Sequence, residues 1–166
     1  GSEYNITTTT DLDLSFSGLS GEIPIEIGYL LNLSSINLSF NSLIGEIPSS
    51  LRYLRNSLTH LNLSENQLTG EITFITDLFI GGDECNWDSC NVILDYLDFS
   101  SNELNGNIPN LEKFFNLTYL DMSNNEFDGR IPETRGNLNY LDLSNNELSG
   151  EIYEDVHIED NINLTI

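Results

Sequence analysis

The residues able to do chemistry in this chain are few in kind and recur at fixed spacing. Three Tyr-Leu-Asp triplets place Tyr96, Tyr119 and Tyr140 beside Asp98, Asp121 and Asp142, the triplets lying 23 and 21 residues apart. Such carboxylates could serve as acid and base, hold a cation or meet a positive partner, and phenols add rigid amphipathic contact with a hydroxyl. Both cysteines, Cys85 and Cys90, flank the single tryptophan, Trp87. Their closeness in sequence suits a small disulfide loop, with free thiols as the alternative. No His stands at a spacing that would complete a metal site. The two histidines, His60 and His157, sit in no catalytic or metal-binding phrase. The acids stand in a row rather than across a cleft, which does not suit paired-carboxylate catalysis. Calcium wants about six to eight oxygens in a compact cage, more than a flat row supplies. No enzyme activity, no metal and no cofactor are expected.

Composition narrows the partners. The 166 residues hold 27 acids against five basic residues, a net charge of -22. Nucleic acid and anionic membranes both reward basic patches, so neither is expected. Apolar runs are only a few residues long, too short for membrane insertion. A hydrophobic share of 39% is too high for a disordered acidic tail. Basic proteins or peptides and neutral glycans remain.

The elements that must position these groups are internal repeats. The phrase Leu-x-Leu-x-x-Asn-x-Leu-x-Gly-x-Ile-Pro starts at Leu12, Ile36, Leu61, Leu97, Leu120 and Leu141, with spacings of 24, 25, 36, 23 and 21 residues. A truncated start fits Leu164. Each apolar pair reads as a short strand with one buried face. Asn41, Asn66, Asn102, Asn125 and Asn146 follow, suited to satisfying backbone groups where the chain leaves the strand. Ser17 takes that place in the first unit. The recurrent Gly permits a tight turn, and Ile-Pro starts the return path. No unit can bury its apolar face alone, whereas stacked units can.

The segments Leu61–Gly70 and Leu141–Gly150, which read Leu-x-Leu-Ser-x-Asn-x-Leu-x-Gly, resemble leucine-rich repeats of the plant-type, extracellular subclass. The resemblance covers about residues 10 to 152 and the half unit at the end. It implies an α/β, right-handed curved leucine-rich-repeat solenoid, with a parallel concave β-sheet and short 3-10 or irregular convex segments. A second short strand before the Ile-Pro is usual in that subclass. Relatives are receptor ectodomains, inhibitors of wall-degrading enzymes, and adhesion or ice-binding proteins, nearly all of them binders. The chain departs from the pattern by lacking disulfide-bearing caps. Tyr4 to Thr10 are expected to cover the first end, with Val156, Ile158 and Ile162 at the other. A fragment of a longer array is an alternative. Residues 1–166 are expected to form one domain of about six repeats plus a C-terminal half repeat.

Mapped onto this frame, the concave face has two halves. Phe16 and Phe40 mark the N-terminal half. The Tyr96, Tyr119, Tyr140 column beside Asp98, Asp121 and Asp142 marks the other. His60 falls in the Tyr column but reads as a surface residue. Every Lys and Arg maps off the sheet, leaving an acidic, aromatic face that suits a basic partner. The Asp and Ser columns are equally repeat consensus, and stacked Tyr can simply support neighbouring strands. An insertion at about 79–92 carries Cys85, Trp87 and Cys90 as a stapled loop, and a disulfide there points to an oxidising compartment. Six Asn-x-Ser/Thr sequons agree with secretion or a cell-surface location. The leading expectation is a non-catalytic recognition module for a protein or peptide. A carbohydrate-binding or adhesion protein and a structural spacer are the alternatives.

Overall fold

The structure, a computed structural model, describes residues 8–72, 75, 92–133, 138–149 and the backbone of 163–165. Seven short parallel strands make the first sheet. In order they are β1 (Asp11–Asp13), β3 (Ser35–Asn37), β5 (His60–Asn62), β7 (Tyr96–Asp98), β9 (Tyr119–Asp121), β11 (Tyr140–Asp142) and β12 (Asn163–Thr165). Their register follows the repeat phrase. Leu12 pairs with Ile36, Ile36 with Leu61, Leu61 with Leu97, Leu97 with Leu120, Leu120 with Leu141, and Leu141 with Leu164. The 36-residue spacing from Leu61 to Leu97 therefore leaves the register intact.

A second parallel sheet of five strands comprises β2 (Ser20–Glu22), β4 (Ser42–Glu46), β6 (Gln67–Glu71), β8 (Glu103–Asn107) and β10 (Glu126–Asp128). Its glycines do more than turn. Gly45, Gly70 and Gly106 have φ of 78°, 82° and 75°, a region that other residues enter at a cost. A Cβ on Gly70 would also meet Glu46 Cγ at 2.9 Å, and one on Gly106 would meet Glu71 Cγ at 2.8 Å. Each glycine thus leaves space for the Glu stem of the preceding repeat.

Return segments start at proline. Pro24 and Pro48, with φ of -69° and -67°, introduce 3-10 turns at Ile25–Tyr29 and Ser49–Leu54. Between the sheets and these turns runs one apolar core, a ladder of Leu and Ile widened by the fully buried Phe99, Phe114 and Phe127. At the first end it opens as an apolar pocket of about 650 Å³ lined by Leu12, Leu14, Leu19, Ile23, Ile27 and Leu43. Most of the segment expected over that end, and the residues expected over the other, lie outside the described residues.

The asparagines join consecutive repeats. Asn66 Oδ1 accepts the Leu43 N–H of the preceding repeat at 3.0 Å, and its Nδ2 donates to the carbonyls of Leu38, Leu63 and Ser64. Asn41, Asn102, Asn125 and Asn146 repeat this pattern. The residue before each Asn, or before Ser17 in the first unit, bends the chain off the sheet in the left-handed region. Phe16, Phe40, Glu65, Ser101, Asn124 and Asn145 have φ between 51° and 56°. Asn tolerates that conformation well and Phe or Glu less so.

Candidate functional site

The strand register brings the three Tyr-Leu-Asp triplets side by side. Tyr96 and Tyr119 stack at 4.3 Å between ring centroids and 9° between planes. Tyr119 and Tyr140 stack at 4.4 Å and 4°. His60 continues the column, 6.0 Å from Tyr96 and 15° from parallel. Sequence reasoning placed His60 in this column but not in a ring stack; the signal was its register with Tyr96. Thr59 Oγ1 donates to Ser34 O at 2.9 Å and lies 2.8 Å from His60 Nδ1. His60 Nε2 lies 3.9 Å from Asp95 Oδ2, while Asp95 Oδ1 accepts from Thr118.

The stack orients what the groove presents. Both faces of Tyr96 and of Tyr119 meet neighbouring rings, so these two offer edges and hydroxyls instead. Tyr96 Oη donates to Asp98 Oδ2 at 3.3 Å, and Tyr140 Oη lies 3.3 Å from Asp121 Oδ2 and 3.4 Å from Asp142 Oδ2. Asp98 and Asp121 are only 7% and 8% exposed. In each, Oδ1 accepts both the N–H and the hydroxyl of the Ser two residues on, Ser100 or Ser123. Asp13, Asn37 and Asn62 do the same with Ser15, Ser39 and Ser64, and Asp142 accepts the Ser144 N–H. The Asp column is thus a set of turn acceptors whose second oxygens meet the phenols.

Burial decides how the same bonds act on acidity. At exposed Asp13 the Ser15 bonds hold the carboxyl below the ordinary carboxylate range. At Asp98 burial outweighs the Ser100 bonds and raises it. Burial, then the nearby Asp98 charge, pushes the Tyr96 phenol up to about 12, and burial also raises Tyr119 and Tyr140. All three phenols therefore stay neutral donors at physiological pH.

A raised folded pKa means that ionising Asp98 works against the fold. That penalty is absent below the unfolded pKa and grows as pH rises through the folded one. Asn37 and Asn62 show that an amide serves the same acceptor role. Asp98→Asn is expected to raise Tm by a few degrees at pH 7, the gain vanishing near pH 3. Equal gains at both pH values in thermal melts would refute the assignment.

Cys85, Cys90 and Trp87 lie outside the described residues, as does most of the insertion. The N-terminal half carries a second pair of rings. Phe16 and Phe40 stack at 4.3 Å and 9° while remaining 73% and 47% exposed. Among the described residues, no group of three or more His, Cys, Asp or Glu is arranged to hold a metal ion. No helix among them is long and apolar enough to cross a membrane.

Parallel sheets joined by an asparagine ladder and 3-10 returns define a leucine-rich-repeat solenoid, and the chain belongs to the leucine-rich repeat family. Family profiles described as Leucine Rich Repeat match residues 32–54, 116–136 and 137–157, and a second such profile matches 56–72. The relatives place it in the plant type. The crystal structure of Pollen Receptor Kinase 3 matches at 32% identity and a TM-score of 0.75, over 93% of this chain and 71% of that one. A TDR receptor matches at 31% identity and a TM-score of 0.77, over 93% of this chain but 25% of that one. The Arabidopsis receptor kinase HAESA, solved with the peptide hormone IDA and the co-receptor SERK1, matches at 38% identity and a TM-score of 0.60. That match covers 80% of this chain and 21% of the HAESA chain. This chain thus spans about a quarter or less of the two longer receptors. Among curated proteins, none matches.

Proposed function

We propose that this chain is a non-catalytic, extracellular recognition module that binds a basic protein or peptide along its concave sheet. The observation that carries the reading is the His60–Tyr96–Tyr119–Tyr140 stack, whose hydroxyls meet carboxylates on strands that hold no Lys or Arg. Phenol edges and the more open carboxylate of Asp142 suit the N–H donors of a cationic peptide, while the nearly buried Asp98 and Asp121 contribute to the negative field that speeds its encounter. HAESA, which binds a peptide hormone, lends the peptide reading support from a relative. The proposal includes Trp87, in a loop closed by a Cys85–Cys90 disulfide, as a further contact for the same partner. A glycan is the weaker alternative, because a sugar packs on ring faces and both faces of Tyr96 and of Tyr119 are turned to neighbouring rings.

A random peptide display library panned on the wild-type protein tests this, with Kd read by fluorescence anisotropy. Enriched peptides are expected to be net positive, to weaken with salt, and to lose at least tenfold in affinity on the Tyr96→Ser/Tyr119→Ser/Tyr140→Ser variant. Enrichment of neutral peptides indifferent to that variant would sink the proposal.

A further inference from the structure

Phe16 and Phe40 are not needed by the solenoid. They occupy the position where the chain bends off the sheet with φ of 51° and 54°, and the later repeats place Ser101, Asn124 and Asn145 there. A Phe in the left-handed region is disfavoured relative to Asn or Gly. It gains little burial in return, since Phe16 is 73% and Phe40 47% exposed. The rings nevertheless stack in parallel, 4.3 Å apart. Stacking covers one face of each ring. Phe16 follows β1, the first strand of the sheet, so no described repeat stacks on its other side. In the Tyr column, by contrast, both faces of Tyr96 and of Tyr119 are occupied by neighbouring rings.

The charge around the pair is of one sign. Asp11 and Asp13 on β1 and Glu65, which follows Phe40 in the same column, are all exposed. Asp13 is held ionised by its Ser15 bonds. An apolar platform set among carboxylates, on the same sheet as the Tyr stack, fits an apolar side chain carried by a basic peptide.

We infer that the Phe16–Phe40 pair is a second, apolar subsite for the peptide held by the Tyr stack, so that the ligand is bipartite. The inference rests on the peptide-binding reading above. Geometry sets the ligand's length. Phe40 and Tyr96 are two strands apart, about 10 Å at roughly 4.8 Å per strand, and about 15 Å apart along the strand direction. The diagonal is roughly 18 Å, which an extended chain spans in about five or six residues at ~3.3 Å each. Reaching from Phe16 to Tyr140 takes about eight or nine. The ligand is therefore an extended peptide with a basic cluster at one end. An aliphatic or aromatic anchor follows some five to nine residues away.

The test uses dodecamers from a random display library enriched on the wild-type protein. Each is measured on wild type, on Phe16→Asn/Phe40→Asn and on the triple Tyr→Ser variant. Asn already stands at this position in two repeats, as Asn124 and Asn145, and suits its backbone, so the Phe variant is expected to fold at least as stably as wild type. Enriched peptides should carry the anchor at the stated separation and lose about tenfold on the Phe variant. Replacing the anchor by Ser should cost the same on wild type and nothing further on the Phe variant. Peptides that need the Tyr stack but bind the Phe variant within twofold of wild type overturn the second subsite and leave the Tyr site standing. Peptides indifferent to the Tyr variant, or no enrichment at all, overturn the reading on which it rests.

Discussion

Asn125→Ala is expected to lower the unfolding free energy by about 4 kcal/mol, because one side chain satisfies four backbone groups from two repeats. Asn125 Oδ1 accepts the Leu104 N–H at 3.1 Å, and its Nδ2 donates to the carbonyls of Phe99, Met122 and Ser123. The residue is only 9% exposed, so water cannot freely replace what is lost. Asn125→Asp should be as harmful despite its shape, since a carboxylate would then face three carbonyl oxygens. Its neighbour supplies the control. Asn124 has φ of 55° and is the bend residue, so Asn124→Gly should be nearly neutral. Urea unfolding of the three variants decides the matter. A loss below ~1 kcal/mol for Asn125→Ala would refute the ladder as a main source of cohesion.

Gly28→Ala is expected to cost about 3 kcal/mol, for a different reason. Gly28 is buried in the first 3-10 turn, which packs on the second, and it lies outside the repeat phrase. A Cβ there would collide with the Ser50 carbonyl group and with Ser50 Cβ. Backbone cannot yield as a flexible side chain does. Ser50 is held in addition by its hydroxyl, which donates to Ile25 O at 2.6 Å. Ser50→Gly should therefore fail to rescue the variant. Gly21→Ala gives the scale: φ is 87° but nothing lies within 4 Å, so only backbone strain of about 1 kcal/mol remains. Thermal melts that rank Gly21→Ala as the worse of the two would contradict this packing.

These two effects differ in how far they could be read from residues alone. The asparagine positions were legible, since Asn41, Asn66, Asn102, Asn125 and Asn146 recur at a constant offset from each strand. Gly28 was not. Gly28 belongs to the first unit, and Arg52 stands at the equivalent place of the next. Its role comes from one contact across repeats. The glycines of the second sheet lie between these cases. Their positive φ follows from the turn, but the Glu46 and Glu71 stems passing over Gly70 and Gly106 do not.

The candidate site divides in the same manner. The phrase spacing assigned Tyr96, Tyr119 and Tyr140 to one column, and Asp98, Asp121 and Asp142 to another. Whether those groups are free to meet a partner depends on distances between different repeats. Stacking turns the phenol faces inward, and the Ser two residues on engages one oxygen of each Asp. The same distances add His60 to the stack.

By itself, the sequence determined the strand register, the core columns and the sign of charge on the concave sheet. Each is a property of one repeat, and stacking in a single direction copies it unchanged to the next. Only the tertiary structure decided which ring faces stay open, which carboxylate oxygens remain available and which glycines are sterically required. Those depend on side-chain separations of a few ångströms between repeats, where one ring or one methylene group changes the answer.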